Sequence, residues 1–271
     1  IIEGCYCLFA LNGNGLTMLL PPLGEPSRQE RALRICLKIM DLYNPSPAQA
    51  RLDFVYQDFL KVVDTDLLSG APLINGELWH VEVTNPDYIY RTQDLIELKG
   101  NSYKTKRNEI NQFRRAHPNH SLLPFSRAHE TDARTLVNTW MQNRLRTIPD
   151  GPVEEFLYNL EMERKAIQRA ITLYDELKLE GLSLFIDGKL EGFTFGERLN
   201  RDVANVLIEK TNFNIQGAAQ YLFREFSKVF ADCTYINVGD DLGFENLRRV
   251  KMSYRPAMFG EKIILRRLLP E

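Results

Sequence analysis

The sequence is short of what a metal centre, a disulfide scaffold or a membrane span would need. Its 271 residues include four cysteines (Cys5, Cys7, Cys36, Cys233) and four histidines (His80, His117, His120, His129), and none of the eight stands at a ligand spacing. Cys5-x-Cys7 reads as one face of a strand with no nearby Cys or His to complete a set, so no metal is expected and the thiols are read as reduced structural residues. No apolar run approaches the ~20 residues of a membrane span. The stretch from Leu16 to Leu23 is short and carries two prolines. No signal-peptide layout is visible, and a soluble, cytoplasmic protein is the expectation. Nucleophile constellations are missing too: there is no G-x-S-x-G elbow and no cysteine followed by a suitable histidine partner.

Net charge is also nearly absent, at −2, but this hides two cationic fields. Residues Lys99 to Arg115 carry +5 and Arg248 to Arg267 carry +6, leaving −13 for the rest. Two local basic fields on an acidic body suit a phosphate-bearing ligand better than indiscriminate nucleic-acid or membrane binding. A nucleic-acid binder ranks last for a chain with pI near 6.2.

What is present reads as mixed α/β. Asn12-Gly13-Asn14-Gly15 predicts a hairpin, Ser27-x-x-Glu30 a capping box, and Leu33, Cys36, Leu37 and Met40 a helix up to Tyr43. Strands are expected at Leu52 to Tyr56 and Leu78 to Val83, with a short helix over Gln57 to Val63 between them. A basic helix follows from Tyr103 to Ala116, then a strand (His120 to Phe125) and a helix (Glu130 to Arg144). Pro149 to Pro152 marks a loop, and Val153 to Leu177 a long helix. Leu182 to Ile186, Leu190 to Gly196 and Val203 to Ile208 form a β-meander with turns at Asp187-Gly188 and Leu199 to Asp202. A helix from Asn214 to about Phe230 and a strand from Phe259 to Leu265 would complete the second half.

The densest stretch is Asn237 to Pro256, N-V-G-D-D-L-G-F-E-N-L-R-R-V-K-M-S-Y-R-P. From Gly243 it can turn helical, which sets Arg248, Lys251 and Arg255 on one face before Pro256 stops the helix. The basic helix beginning at Tyr103 poses a related puzzle. Lys104, Lys106 and Arg107 put positive charge at the positive end of the helix dipole, unfavourable by ~0.3–1 kcal/mol each, and an anionic partner there would offset that.

These residues also carry a resemblance. D-D-L-G with L-R-R-V-K-M-S-Y-R-P, the run from Leu98 to Phe113 (L-K-G-N-S-Y-K-T-K-R-N-E-I-N-Q-F), and Glu209-Lys210 ahead of Gly217 together resemble an uncharacterised bacterial family similar to the C-terminal catalytic domain of phosphatidylglycerol lysyltransferases. The resemblance implies two tandem GNAT-like (acetyltransferase-type) modules, assigned to residues 1–118 and 119–271. It implies an acyl- or aminoacyltransferase acting on an amine or hydroxyl, without the membrane anchor of the resembling enzymes. The alternatives are an acyl-CoA-dependent N-acyltransferase and a non-catalytic module for an anionic ligand. Aminoacyl-tRNA or acyl-CoA would serve as co-substrate, and the expected partners are a phosphate-bearing ligand, a tRNA acceptor arm and peripheral lipid.

Direct acyl transfer requires positioning, removal of a proton from the acceptor, and stabilisation of an oxyanion. Glu209 and Asp240 are the candidate bases. The competing structural roles are an ion pair of Glu209 with Lys210 or a neighbouring basic residue, and an Asx turn at Asp240 and Asp241 capping the helix at Gly243. Asp241 is the candidate for holding a cationic acceptor or aminoacyl group, and Tyr254 for donating to a leaving hydroxyl. Lys99, Lys106, Arg107, Arg248, Lys251 and Arg255 are the candidates for phosphate or oxyanion, the arginines for bidentate contacts. Gln216 and Gly217 belong to the loop where acetyltransferase-type folds cradle a pyrophosphate. The Arg/Gln usual at the first position of that loop in acetyltransferase-type folds is Asn214 here, which puts acyl-CoA in doubt as donor.

Overall fold

A computed structural model describes residues 1–12, 15–56, 59–60, 73–74, 77–146 and 153–268. The chain divides into two compact units, Ile1–Pro86 with Gly260–Glu271, and Asp87–Phe259.

In the first unit β1 (Phe9–Asn12) and β2 (Gly15–Met18) pair antiparallel, the expected hairpin, whose Gly13 and Asn14 lie outside the described residues. Gly15 sits at φ +108, and a Cβ there would come within 2.6 Å of Asn44 Oδ1. That oxygen accepts from the Leu16 N–H at 2.6 Å, and the Asn44 amide donates to Leu16 O at 3.0 Å. The end of a helix thus extends the hydrogen bonding of a strand. The helix is α1 (Pro26–Tyr43), which buries Ala32, Leu33, Cys36, Leu37 and Met40. Its expected Ser27–Glu30 box does not form. The helix begins at Pro26 with Glu25 before it, which puts Ser27 inside the first turn and not at the cap position, and Glu30 pairs with Arg34 instead. A capping box is found at Ser46 and Gln49.

Strands β3 (Arg51–Val55), β4 (Leu73–Ile74) and β5 (Glu77–Val83) follow. Most of the expected 57–63 helix lies outside the described residues. The sheet order is β1-β2-β3-β13-β5-β4, with β13 (Ile263–Arg267) antiparallel to both β3 and β5. This corrects the expectation that 259–265 completes the second module. Leu265 is fully buried in the core with Met18, Leu33, Leu52 and Trp79, so the C-terminus closes the first sheet.

The second unit runs β6 (Asp87–Arg91), α2 (Thr92–Glu97), α3 (Lys104–Ala116), β7 (His120–Pro124), α4 (Glu130–Leu145), α5 (Val153–Thr172), β8 (Glu180–Ile186), β9 (Lys189–Arg198), β10 (Val203–Thr211), α6 (Ala218–Ser227), β11 (Tyr235–Asn237), α7 (Glu245–Met252) and β12 (Met258–Gly260). Its sheet order is β12-β6-β11-β10-β9-β8-β7. The meander β8-β9-β10 is antiparallel as its turns predict, and α6 is the crossover joining β10 to the parallel β11. The loop at 149–152 lies outside the described residues, and α5 ends five residues before its expected limit at Leu177. The expected boundary at 118/119 falls inside this unit. Residues 87–118 are built into it because β6 pairs with β11 and α3 packs on α6.

Two features of β10 and α6 shape the surroundings of Glu209 and Gly217. The pairing of β9 with β10 slips between Val206 and Ile208, a bulge that leaves Leu207 unpaired two residues before Glu209. Gly217, at φ +82, caps the start of α6, and a Cβ there would lie 2.4 Å from the Glu109 carbonyl. Glycine is required for α3 and α6 to approach this closely.

Candidate active site

Glu209 lies on β10, opposite Thr194 of β9. The residue keeps a partly accessible edge, but its Oε2 is sealed from solvent and has no hydrogen-bond partner among the described residues. Burial pushes its pKa up to about 8, against the lowering pull of Lys210. The Glu209–Lys210 pair weighed from sequence does not form. Lys210 turns away, 2.7 Å from Glu163 and with its Nζ 3.8 Å from the Trp140 ring centroid. Alternation explains this, because consecutive strand residues face opposite sides of a sheet.

Tyr254 is buried close by. Burial raises its pKa well above the phenolic range, and the charges of Glu209 and Glu109 add to the effect, so it stays a neutral hydrogen-bond donor. Its ring packs against Phe223 at 5.1 Å and Tyr90 at 6.2 Å, and its carbonyl accepts from Tyr103 Oη at 3.0 Å. Lys106 reaches in from α3, only 8% exposed, with Nζ 4.7 Å from the Tyr254 ring centroid and 3.5 Å from Glu109 Oε2. Glu109 Oε2 is itself sealed and makes no hydrogen bond. One turn of α3 sets Lys106 and Glu109 on the same face, so the helix carries part of its own counter-charge. The neutral Tyr254 phenol is therefore the shared neighbour: the Lys106 ammonium, paired with Glu109, lies over its ring, and the charge of Glu209 acts on it as well.

The Asp-Asp stretch is built differently. Asp240 Oδ1 accepts from the Leu242 N–H at 2.9 Å and Asp241 Oδ1 from the Gly243 N–H at 2.9 Å, the Asx turns weighed from sequence. Asp241 is fully buried, and its Oδ2 accepts from Tyr88 Oη at 2.6 Å and Arg248 Nε at 2.9 Å. Burial opposes its charge, but the donors from Arg248, Tyr88 and Gly243 outweigh burial and hold its pKa down to about 2. Lys251 Nζ donates to the carbonyls of Val238 (2.6 Å) and Gly239 (3.0 Å), and its own carbonyl accepts from Tyr90 Oη at 2.9 Å. In this structure Asp241, Arg248 and Lys251 hold α7 and its entry loop together.

The other expected site residues stand apart. Lys99 is exposed and pairs with Glu97 at 2.6 Å. Arg107 donates to the carbonyls of Leu98 and Gly100, closing the end of α2. Arg255 is exposed, at φ +55. Gln216 is exposed beside the buried Gly217, and three loop N–H groups donate internally: Asn214 to Asn212 Oδ1, Ile215 to Asn212 O, and Ala218 to Ile215 O. Sequence reasoning brought Glu209, Tyr254 and Lys106 forward but missed Glu109, Tyr90 and Tyr103. The i, i+3 spacing of Lys106 and Glu109 was the available signal for the first. Among the described residues no group of three or more His, Cys, Asp or Glu is placed to hold a metal ion, and no helix is long and apolar enough to cross a membrane.

The seven-stranded mixed sheet of the second unit, with a bulged strand leading through a glycine-capped helix, together with the mixed sheet of the first unit, defines the tandem GNAT fold class, and the fold is shared with a solved tandem GNAT protein. The chain belongs to the family "Phosphatidylglycerol lysyltransferase, C-terminal", which matches residues 1–266. It is similar to a conserved protein of unknown function from Bacteroides thetaiotaomicron, with 26% identity, a TM-score of 0.81, and 99% of this chain and 84% of that one covered. L-PGS from Bacillus licheniformis shares the fold at 14% identity and a TM-score of 0.67, with 99% and 82% covered. An uncharacterised protein of Mycoplasmoides gallisepticum is 24% identical over 217 residues, 77% of this chain. The match spans 66% of that curated relative, just under two thirds of its length.

Proposed function

We propose that the chain transfers an acyl or aminoacyl group directly from an ester or thioester donor to an amine or hydroxyl acceptor. The observation that supports this most is the carboxyl of Glu209, with one oxygen sealed and unpaired and its pKa raised to about 8, whose charge acts on the buried Tyr254 that Lys106 also faces. A general base works best with a pKa near the working pH. Glu209 takes the acceptor proton as the acceptor attacks the donor carbonyl. The Lys106 ammonium faces the oxygen on which negative charge develops, where a buried cation acts more strongly than in water. Tyr254, kept neutral, donates a hydrogen bond to the departing oxygen of an ester donor, which takes up the proton that Glu209 removed from the acceptor.

For the donor, aminoacyl-tRNA is the reading we favour over acyl-CoA. The packing of α3 across Gly217 and the internal use of three N–H groups in the 214–218 loop leave less backbone free for a pyrophosphate. The family name points to an anionic lipid headgroup as acceptor. Arg255, exposed and in no ion pair among the described residues, remains the arginine for a phosphate contact. A cytoplasmic, bacterial setting fits such co-substrates.

The experiment is transfer of radiolabelled aminoacyl groups from charged tRNA, or acetyl groups from acetyl-CoA, to phosphatidylglycerol headgroups and simple amines. Transfer from tRNA that Glu209→Gln abolishes supports the proposal. Transfer only from acetyl-CoA would replace the donor, and an unaffected Glu209→Gln rate would remove Glu209 from the chemistry.

A further inference from the structure

The ion pair that holds Lys106 differs from its counterparts elsewhere in the chain. The pairs Lys99–Glu97, Lys189–Glu191, Lys210–Glu163 and Lys228–Glu225 close at 2.6 or 2.7 Å, the contact of a charge-assisted hydrogen bond. Lys165–Glu161 is longer, at 3.8 Å, but its lysine is exposed. Lys106 is 8% exposed, and its Nζ stands 3.5 Å from Glu109 Oε2, an oxygen sealed from solvent that makes no hydrogen bond. Nor does the ammonium make one among the described residues; it lies over the Tyr254 ring, 4.7 Å from the centroid.

Helix stability does not account for this pair. A lysine placed before its glutamate is the less favourable order along a helix. The pair is also fixed in place, because α3 is clamped around it. A Cβ at Gly217 of α6 would lie 2.4 Å from the Glu109 carbonyl, Ile110 is buried, and Phe113 stacks on Tyr221 at 4.9 Å. A buried ammonium needs a counter-charge, and a lysine arm without one extends to water. Glu109 supplies that charge and leaves the three N–H donors of Lys106 unspent.

We infer that Glu109 is a positioning residue for the proposed transfer: it fixes the Lys106 ammonium over Tyr254 with its donors free, so that an oxyanion forming there is the acceptor they meet. The inference rests on the transfer reading above. Glu109 acts through Lys106 and touches no reacting atom.

The test measures transfer kinetics and the chemical labelling of Lys106 side by side in the purified chain. Glu109→Gln should lower kcat by about 10–100-fold, the loss expected of a misplaced catalytic group, with KM within about twofold. Glu109→Asp keeps the charge and should recover part of that loss. Adding Glu109→Gln to Lys106→Met should slow transfer no further than Lys106→Met alone, because residues acting as a unit are not additive. Acetic anhydride labelling read by mass spectrometry, with exposed Lys99 as reference, needs no turnover. Lys106 should be labelled faster in Glu109→Gln than in wild type by about threefold or more, as a group no longer held in place. Glu109→Asp should reverse this.

An unchanged kcat for Glu109→Gln in a chain that does transfer would overturn the inference, whatever the melting temperature. So would a kcat loss that persists in full on top of Lys106→Met. A wild type that transfers from no donor would end the transfer reading, and the labelling would then decide: a rise in Glu109→Gln keeps Glu109 as the holder of Lys106, and no rise removes it.

Discussion

Two polar clusters in the Asp87–Phe259 unit differ in how completely their charges are answered. Around Asp241 each carboxylate oxygen has a donor, the lysine has two carbonyls, and the aspartate titrates near 2. Around Glu209 two carboxyl oxygens are sealed without hydrogen bonds, and the glutamate titrates near 8. A satisfied buried network stabilises, and a partly satisfied one costs stability, which a fold tolerates where a ligand completes it. Sequence made the Asp-Asp stretch look like the chemical centre. The structure gives it the work of holding α7.

That contrast can be broken most severely at Glu209. Glu209→Gln should lower transfer by roughly 10²–10⁴ while leaving the fold intact, as steady-state rates beside a circular-dichroism melt would show. A comparable loss from Asp241→Asn at unchanged stability would reverse the two roles. Next in size, Asp241→Ala should destabilise by about 3 kcal/mol in denaturant unfolding, because Arg248, Tyr88 and the Gly243 N–H lose their acceptor together.

pH separates the clusters in opposite directions. The ordinary value for Glu209 is 4.5 and its folded value about 8. Between those values the folded chain keeps a proton that the unfolded chain has released. Its contribution therefore falls as pH rises through that window, by up to ~1.4 kcal/mol per unit, and Glu209→Gln should flatten the slope. Asp241 is depressed from 3.8 to about 2, so its contribution is present above pH 4 and lost as pH falls toward 2. The smallest effect should come from Tyr90→Phe, which removes the hydrogen bond to Lys251 O and costs about 1 kcal/mol in the same unfolding assay.

Local features were legible in the sequence. The β8-β9-β10 meander and its turns, α3, and the Asx turns of D-D-L-G follow from periodicity and from side chains that bond two residues onward. Non-local pairings were not. Nothing near Leu265 says that its partners are Leu52 and Val81, and this is why the local pattern puts residues 263–265 in the wrong half. Tyr88 meets Asp241 across 153 residues, so the saturation of that carboxylate could not be read from its neighbours. Gly217 carried a correct signal with a second meaning, since its missing Cβ makes room for α3. Glu109 was visible as the single acid of a basic helix, but only packing shows that it and Lys106 face Tyr254.

The central claim is that Glu209 is the poised group, and carbon-13 NMR titration of glutamate side-chain carboxyls tests it most directly. One resonance should titrate near pH 8 and vanish in Glu209→Gln. A Glu209 resonance titrating near 4.5 would contradict the account.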